Sequence, residues 1–175
     1  MKVLEKLLMI SLKEHVDMDK QKKYLLKHLD KSEYSENISL IKSHSIDWRK
    51  NYFGNAGLIV FPKTVKSLQN IIKVCNKYNI SVIPQGGNTS LVGGAVPLEN
   101  SERYQVIVNL KKLNKIIDFD SQSLSIKIES GCVLDDVQNF LKKKNFYFPL
   151  SIGSRGNCQI GGNIASNAGG VNVVK

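Results

Sequence analysis

Ile83-Pro84-Gln85-Gly86-Gly87-Asn88-Thr89-Ser90-Leu91-Val92-Gly93-Gly94-Ala95-Val96-Pro97 packs four glycines, two prolines and a run of short polar side chains into one loop. It follows directly on the apolar run Ile80 to Ile83. A loop this rich in glycine can turn until successive backbone N–H groups point into one concavity, and such a nest binds anions, phosphate above all. Gly86 and Gly87 carry no side chain to hold a ligand off the backbone, and Asn88, Thr89 and Ser90 add donors. Read alone, the stretch fits an ordinary glycine-rich turn between strands equally well.

The flanking sequence gives the loop its place. Leu58 to Phe61 reads as a buried strand closed by Pro62, and Thr64 can cap the helix that follows. The expected core face of that helix is Val65, Leu68, Ile71, Ile72, Cys75 and Tyr78, with Asn79 at its stop. Ile80 to Ile83 is the next strand. Strand, helix and strand make a βαβ unit with parallel pairing, which sets the loop at the C-terminal end of the second strand, where open α/β sheets bind ligands. Downstream, Tyr104 to Leu110 is an apolar strand, and Ile116–Phe119 and Leu124–Glu129 suit a hairpin with Leu124, Ile126 and Ile128 on its dry face. Val133 to Lys144 reads as a helix with Val133, Leu134, Val137, Phe140 and Leu141 inward. Asp135 and Asp136 suit its N-terminal end as dipole charges rather than as an acid/base pair.

A second stretch, Ser151-Ile152-Gly153-Ser154-Arg155-Gly156-Asn157-Cys158-Gln159-Ile160-Gly161-Gly162-Asn163-Ile164-Ala165-Ser166-Asn167-Ala168-Gly169-Gly170, carries six glycines and repeats Gly-Gly-Asn. Gln159 to Ser166 could form a short helix whose free N–H groups face a phosphate. Two such segments can clamp one extended ligand, a dinucleotide. Together, PQGGNTSLVGG and GSRGNCQIGGNIASNAGG resemble the FAD-binding domain of FAD-linked 2-hydroxyacid dehydrogenases, among them D-lactate dehydrogenases, the D-subunit of glycolate oxidase and D-2-hydroxyglutarate dehydrogenases. These belong to the vanillyl-alcohol oxidase/p-cresol methylhydroxylase (PCMH) flavoprotein superfamily. The resemblance runs from about Asp47 to Lys175.

The resemblance implies an α+β fold: a PCMH-type FAD-binding domain over residues 46–175, with a small parallel βαβ layer and a truncated antiparallel sheet. Ahead of it, Leu4, Leu7 and Leu8, then Tyr24, Leu25 and Leu29, recur at three and four, which predicts a helical lead-in over residues 1–45 with a helix over Met1 to Leu12. The resemblance also implies that Pro84, Gln85, Gly86, Gly87, Asn88, Thr89 and Ser90, backed by Gly93 and Gly94, wrap the FAD diphosphate. Pro149, Gly153, Ser154, Gly161, Gly162, Asn163, Ala165, Ser166, Asn167 and Gly170 then run beside the diphosphate toward the isoalloxazine. Members with covalent FAD often carry His where Asn88 stands here, so non-covalent FAD is expected, with a thioether to Cys158 a remote alternative. The implied reaction is hydride removal from a D-2-hydroxy acid to give the 2-oxo acid. The family's base, substrate-binding cations and metal site lie largely in later regions, so no catalytic or metal-binding residue is expected in this chain. Arg155, the one cation inside a motif, is read as a phosphate or packing contact.

Composition bounds the alternatives. The chain has 175 residues, 42% hydrophobic and 23% charged, with a net charge of +10. Only Arg49, Arg103 and Arg155 of its 25 basic residues are arginine, and the lysines are dispersed, which argues against a nucleic-acid-reading surface. Diffuse attraction to anionic lipid fits the same charge. No apolar run approaches the ~20 residues of a membrane span. Cys75, Cys132 and Cys158 form no CxxC pair, and no His/Cys/carboxylate cluster has metal-ligand spacing; reduced thiols and a cytoplasmic setting are expected. No Gly-Lys-Ser/Thr follows either loop and no GxGxxG opens a helix, against a P-loop or a Rossmann NAD site. Four readings stay open: a C-terminally incomplete, N-terminal piece of an FAD-linked dehydrogenase from a truncated or split gene, for which a separate chain could supply the rest; a FAD-binding module without independent catalysis; a decayed remnant that folds poorly; and a nucleotide- or nucleic-acid-binding protein using the same loops.

Overall fold

The computed structural model describes residues 17–172. The helix expected over Met1–Leu12 lies outside them. Helix α1 spans Met18–Lys27, started by Asp17, whose carboxylate accepts the Lys20 N–H. A 3-10 turn at Lys31–Glu33 leads into strand β1, Tyr34–Ser35, and helix α2 spans Ile38–His44. The lead-in is therefore not only helical: β1 pairs antiparallel with β2, Leu58–Val60. Its buried groups reach further. The Glu33 carboxylate accepts from the Lys63 N–H and the Ser67 hydroxyl, at the entry of helix α3, Val65–Lys77. Gln21 donates to the carbonyls of Tyr78 and Asn79 and accepts from the Tyr104 N–H.

Thr64 caps α3 as expected, its hydroxyl accepting the Ser67 N–H at 3.0 Å. The core face is turned from the one expected. Ile71, Val74 and Cys75 are buried, while Val65 and Ile72 are 58% and 43% exposed. The buried stripe Leu68, Ile71, Val74, Cys75, Tyr78 follows the three-and-four spacing more closely than the expected set.

Strands β3, Ser81–Gln85, and β4, Gln105–Asn109, complete the main sheet in the order β1-β2-β4-β3. The βαβ reading expected β2 and β3 to pair with each other, and they do not; each lies parallel to β4, which stands between them. Two features explain the order. All five residues of β4 are buried, which suits a central strand covered on both faces, and Pro84 has no N–H to give a further neighbour, which suits an edge. Alternation then sorts the side chains. Leu58, Val60, Val106 and Val108 pack with Leu25, Ile71 and Cys75, while Ile59 and Ile107 pack with Ile41 and Ile83 on the other face.

The second half is smaller. β5, Ile116–Asp120, and β6, Ser125–Ile128, form an antiparallel hairpin. Leu124 falls in its turn with φ 52° and is 72% exposed, so it does not join the dry face. Helix α4, Leu134–Lys142, buries Leu134, Val137 and Leu141 against the hairpin together with Cys132, Cys158 and Ile160. The last helix, α5, is Ile160–Ala165.

Residues 46–53 form a closed turn, although Trp48 and Tyr52 stand four apart, the spacing of a packed helical pair. The Asp47 carboxylate accepts the N–H groups of Tyr52 and Arg49 at 2.7 and 3.1 Å, an alternative to helix that short acidic side chains offer their own backbone. Those bonds, the Tyr52 one foremost, hold the carboxyl below its ordinary range.

Candidate functional site

A cavity of about 650 Å³ opens at the C-terminal ends of β3 and β4, between the two glycine-rich stretches. The first loop contributes Pro84, Gln85, Gly86, Gly87, Asn88, Thr89, Ser90 and Gly94, all expected there, together with Leu91, Val92 and Ala95. The second contributes Ser154, Gly161, Gly162, Asn163, Ala165 and Ser166, as expected, and also Ile152, Cys158, Gln159 and Ala168. Leu110 and Ser130 complete the lining. Those two follow β4 and precede α4, outside both motifs, so no motif could reveal them.

Five expected residues lie elsewhere. Gly93 has φ 71° and sits under the Tyr52 ring, where a Cβ would stand 2.8 Å from Cγ. Gly170 abuts the Ser151 backbone. Gly153 is exposed, with open space where a Cβ would be. Pro149 lies between the Phe148 and Leu150 carbonyls, which both accept from the Gln138 amide. Asn167 lines an adjoining cavity of about 760 Å³, walled by Ile126, Ile128, Phe148, Leu150 and Ile164. The two cavities share Ser130, Gly161, Asn163 and Ala168.

The first loop keeps its backbone donors. Among the described residues, no protein acceptor takes the N–H groups of Gly87, Asn88, Thr89, Ser90 or Leu91. Asn88 has φ 53°, and a left-handed residue within such a run turns neighbouring N–H groups toward one point. Its Nδ2 donates to the Ile46 carbonyl at 2.8 Å, which leaves its Oδ1 buried without a partner. Gln85 acts differently. It is 1% exposed; its Nε2 donates to the His44 and Ala95 carbonyls and its Oε1 accepts from Asn109. Its side chain is spent on holding both ends of the loop.

The second stretch gives its donors to protein carbonyls. The N–H groups of Asn157 and Cys158 go to the Ser154 carbonyl, and those of Ile160 and Gly161 to Cys132 and Ser130. The N-terminus of α5 therefore does not offer the free row expected of it. Gly87 fits against the Asn157 carbonyl, and Gly161 against Ser130, so the two stretches and the α4 entry interlock by backbone approach. Gly162, by contrast, has open space where a Cβ would stand. Arg155 pairs with Asp135 at 3.5 Å, a packing contact rather than a phosphate one.

Among the described residues, no Asp, Glu, His, Lys or Arg lines this cavity. Its one thiol, Cys158, accepts from Asn163 Nδ2 at 3.6 Å. All three cysteines are free and buried; burial pushes Cys75 up to about 11 and raises Cys132. Such thiols are inert packing groups. Among the described residues no group of His, Cys, Asp and Glu could hold a metal ion, and no helix is long and apolar enough to cross a membrane. The cavity can hold an extended ligand with an anionic part on the first loop, and it offers no proton-transfer group of its own.

Residues 56–175 match the family described as FAD binding domain. The chain is 38% identical over 136 residues to the mitochondrial D-2-hydroxyglutarate dehydrogenase of Danio rerio, covering 78% of this chain and 25% of that protein. It is 39% identical over 151 residues to a putative mitochondrial D-lactate dehydrogenase of Schizosaccharomyces pombe, covering 86% and 27%. It thus spans about a quarter of the length of the curated relatives it matches. Among solved structures, an alkyldihydroxyacetonephosphate synthase superposes with TM-score 0.77 at 20% identity, over 87% of this chain and 30% of that one. A p-cresol methylhydroxylase with substrate bound superposes with TM-score 0.63 at 22% identity, over 79% and 27%. The fold is the PCMH type.

Proposed function

The chain belongs to the FAD binding domain family, and on that premise we propose that it is the flavin-holding part of an oxidoreductase that converts a D-2-hydroxy acid to a 2-oxo acid. What supports this is the run of N–H groups from Gly87 to Leu91, without a protein acceptor among the described residues, in a loop that lines the cavity shared by both motifs. A diphosphate answers that run in charge and in hydrogen-bonding sense. The open faces of Gly94 and Gly162 leave the backbone accessible to a flat ligand, and the buried Asn88 Oδ1 can take a hydroxyl or ring N–H. When bound, FAD supplies the hydride acceptor.

This chain's residues bind and orient. Gln85 fixes the loop ends, Tyr52 braces Gly93, and the interlock of Gly87 with Asn157 sets the distance between the two walls. Non-covalent attachment is supported by Asn88 and by Cys158, whose buried sulfur is engaged by Asn163. No side chain among the described residues lining the cavity can take the substrate's hydroxyl proton, so we place the base and the carboxylate-binding cations outside these residues and take a complementary chain as one source of them. The same lack favours a second reading, a FAD-binding module without catalysis of its own. Free, buried thiols suit a reducing compartment, and we place the protein in the cytoplasm, although several relatives carry "mitochondrial" in their names.

The test is a titration of the purified chain with FAD, followed by flavin absorbance and fluorescence. Anaerobic addition of D-lactate or D-2-hydroxyglutarate comes next, with and without a complementary chain. Saturable binding, and flavin bleaching only with the second chain, is the expected result. A folded chain that binds no FAD contradicts the proposal, and binding that never leads to bleaching favours the non-catalytic module.

A further inference from the structure

Four glutamines are buried: Gln21, Gln85, Gln105 and Gln159, each at most 6% exposed. Three are fully used. Gln21 bridges Tyr78, Asn79 and Tyr104; Gln85 bridges His44, Ala95 and Asn109; Gln105 donates to Asn55 and Leu98 and accepts from Leu98. Gln159 is the exception. Its Oε1 is buried without a partner. It lines the cavity of the two glycine stretches, and its Oε1 would lie 3.2 Å from a Cβ on Gly86.

Its position is fixed on both sides. The Cys158 carbonyl accepts the Leu134 N–H, the Ile160 N–H donates to Cys132, and the Gln159 carbonyl accepts from Asn163. A buried amide oxygen without a donor destabilises the protein that carries it, and a polar group held rigidly in that state marks a site awaiting a partner. A carbonyl oxygen repels phosphate oxygens and accepts from hydroxyls and ring N–H groups. We propose that Gln159 is a cofactor-positioning residue whose Oε1 accepts a hydrogen bond from a non-phosphate donor of the bound dinucleotide. The donor is a ribityl or ribose hydroxyl, or a ring N–H. This rests on the flavin reading of the same cavity.

The test uses the whole chain and the variants Gln159→Met, which keeps the shape, and Gln159→Ala, which removes the amide without replacing it. Ligand-free Gln159→Met melts at or above the wild-type temperature, because nothing satisfied is lost. Its FAD dissociation constant rises roughly tenfold. The loss recurs with only one of two half-ligands, FMN or ADP, and says which half carries the donor; competition by inorganic pyrophosphate is unchanged. Gln159→Ala shows the same selectivity. Unaltered FAD binding, an equal loss for FMN, ADP and pyrophosphate, or a lowered melting temperature in Gln159→Met overturns the assignment. Wild-type chain that is folded yet binds neither FAD nor ADP instead overturns the flavin reading, and the assignment with it.

Discussion

Gly86-Gly87-Asn88 and Gly161-Gly162-Asn163 are the same three letters put to two physical uses. In the first, the N–H groups that follow are free, the asparagine is left-handed, and its oxygen is orphaned. In the second, the entering N–H groups are taken by Ser130 and Cys132, and the asparagine is buried with its amide on the Cys158 sulfur. One triplet is a nest; the other is a wall that the nest is built against. What separates them is where each triplet leaves its secondary structure. The first follows the end of an edge strand, where the chain has run out of partners. The second starts a helix docked on the α4 entry, whose carbonyls reach the donors first.

The largest effects should come from the glycines that make the two stretches touch. Gly87→Ala would press a Cβ into the Asn157 carbonyl, and thermal or urea unfolding should show a loss of about 3 kcal/mol or failure to fold. Gly161→Ala, whose Cβ would stand 2.7 Å from that of Ser130, should cost about 1–3 kcal/mol by the same measurement. Equal tolerance of both would break the picture of an interlocked pair.

Gly162→Ala sharpens the contrast with its neighbour. Nothing lies near its Cβ, and alanine favours helix over glycine by roughly 0.5–1 kcal/mol, so the melting temperature should hold or rise. FAD affinity, read by fluorescence titration, should fall, because the new methyl enters the cavity.

Acid should loosen the brace of the first loop. The folded state holds the Asp47 carboxyl below its ordinary 3.8, so its contribution is complete above that value and is lost as pH falls through the lower folded value. Melting curves from pH 6 to 2.5 should therefore decline less steeply in Asp47→Asn than in wild type below about pH 4. Identical slopes would remove Asp47 from the account. The smallest effect belongs to Arg155→Ala. Its exposed pair with Asp135 should be worth under about 0.5 kcal/mol, and FAD binding should be unchanged.

Much of this was legible in the sequence. The apolar strands, the Thr64 cap, the hairpin and both glycine stretches stand where their letters place them, because each rests on local chemistry. Sheet order was not legible: inserting β4 between β2 and β3 depends on which strand can be buried on both faces, a comparison between distant segments. The turn at residues 46–53 was missed because Trp48 and Tyr52 have helical spacing, while the Asp47 carboxylate decides the matter through backbone bonds. In the cavity, the motif residues were mostly visible; Leu110 and Ser130 were not, and Gln159 stood inside a quoted stretch with nothing to distinguish it from three structural glutamines. Only its lack of partners does so.

Amide hydrogen exchange of the whole chain, with and without FAD, separates a first stretch that binds from a second that supports. The N–H groups of Gly87 to Leu91 should exchange fast in the free protein and become protected when FAD binds, while those of Ile160 and Gly161 should be slow in both states. Protection that appears at Ile160 and Gly161 and leaves Gly87 to Leu91 unchanged would contradict the assignment.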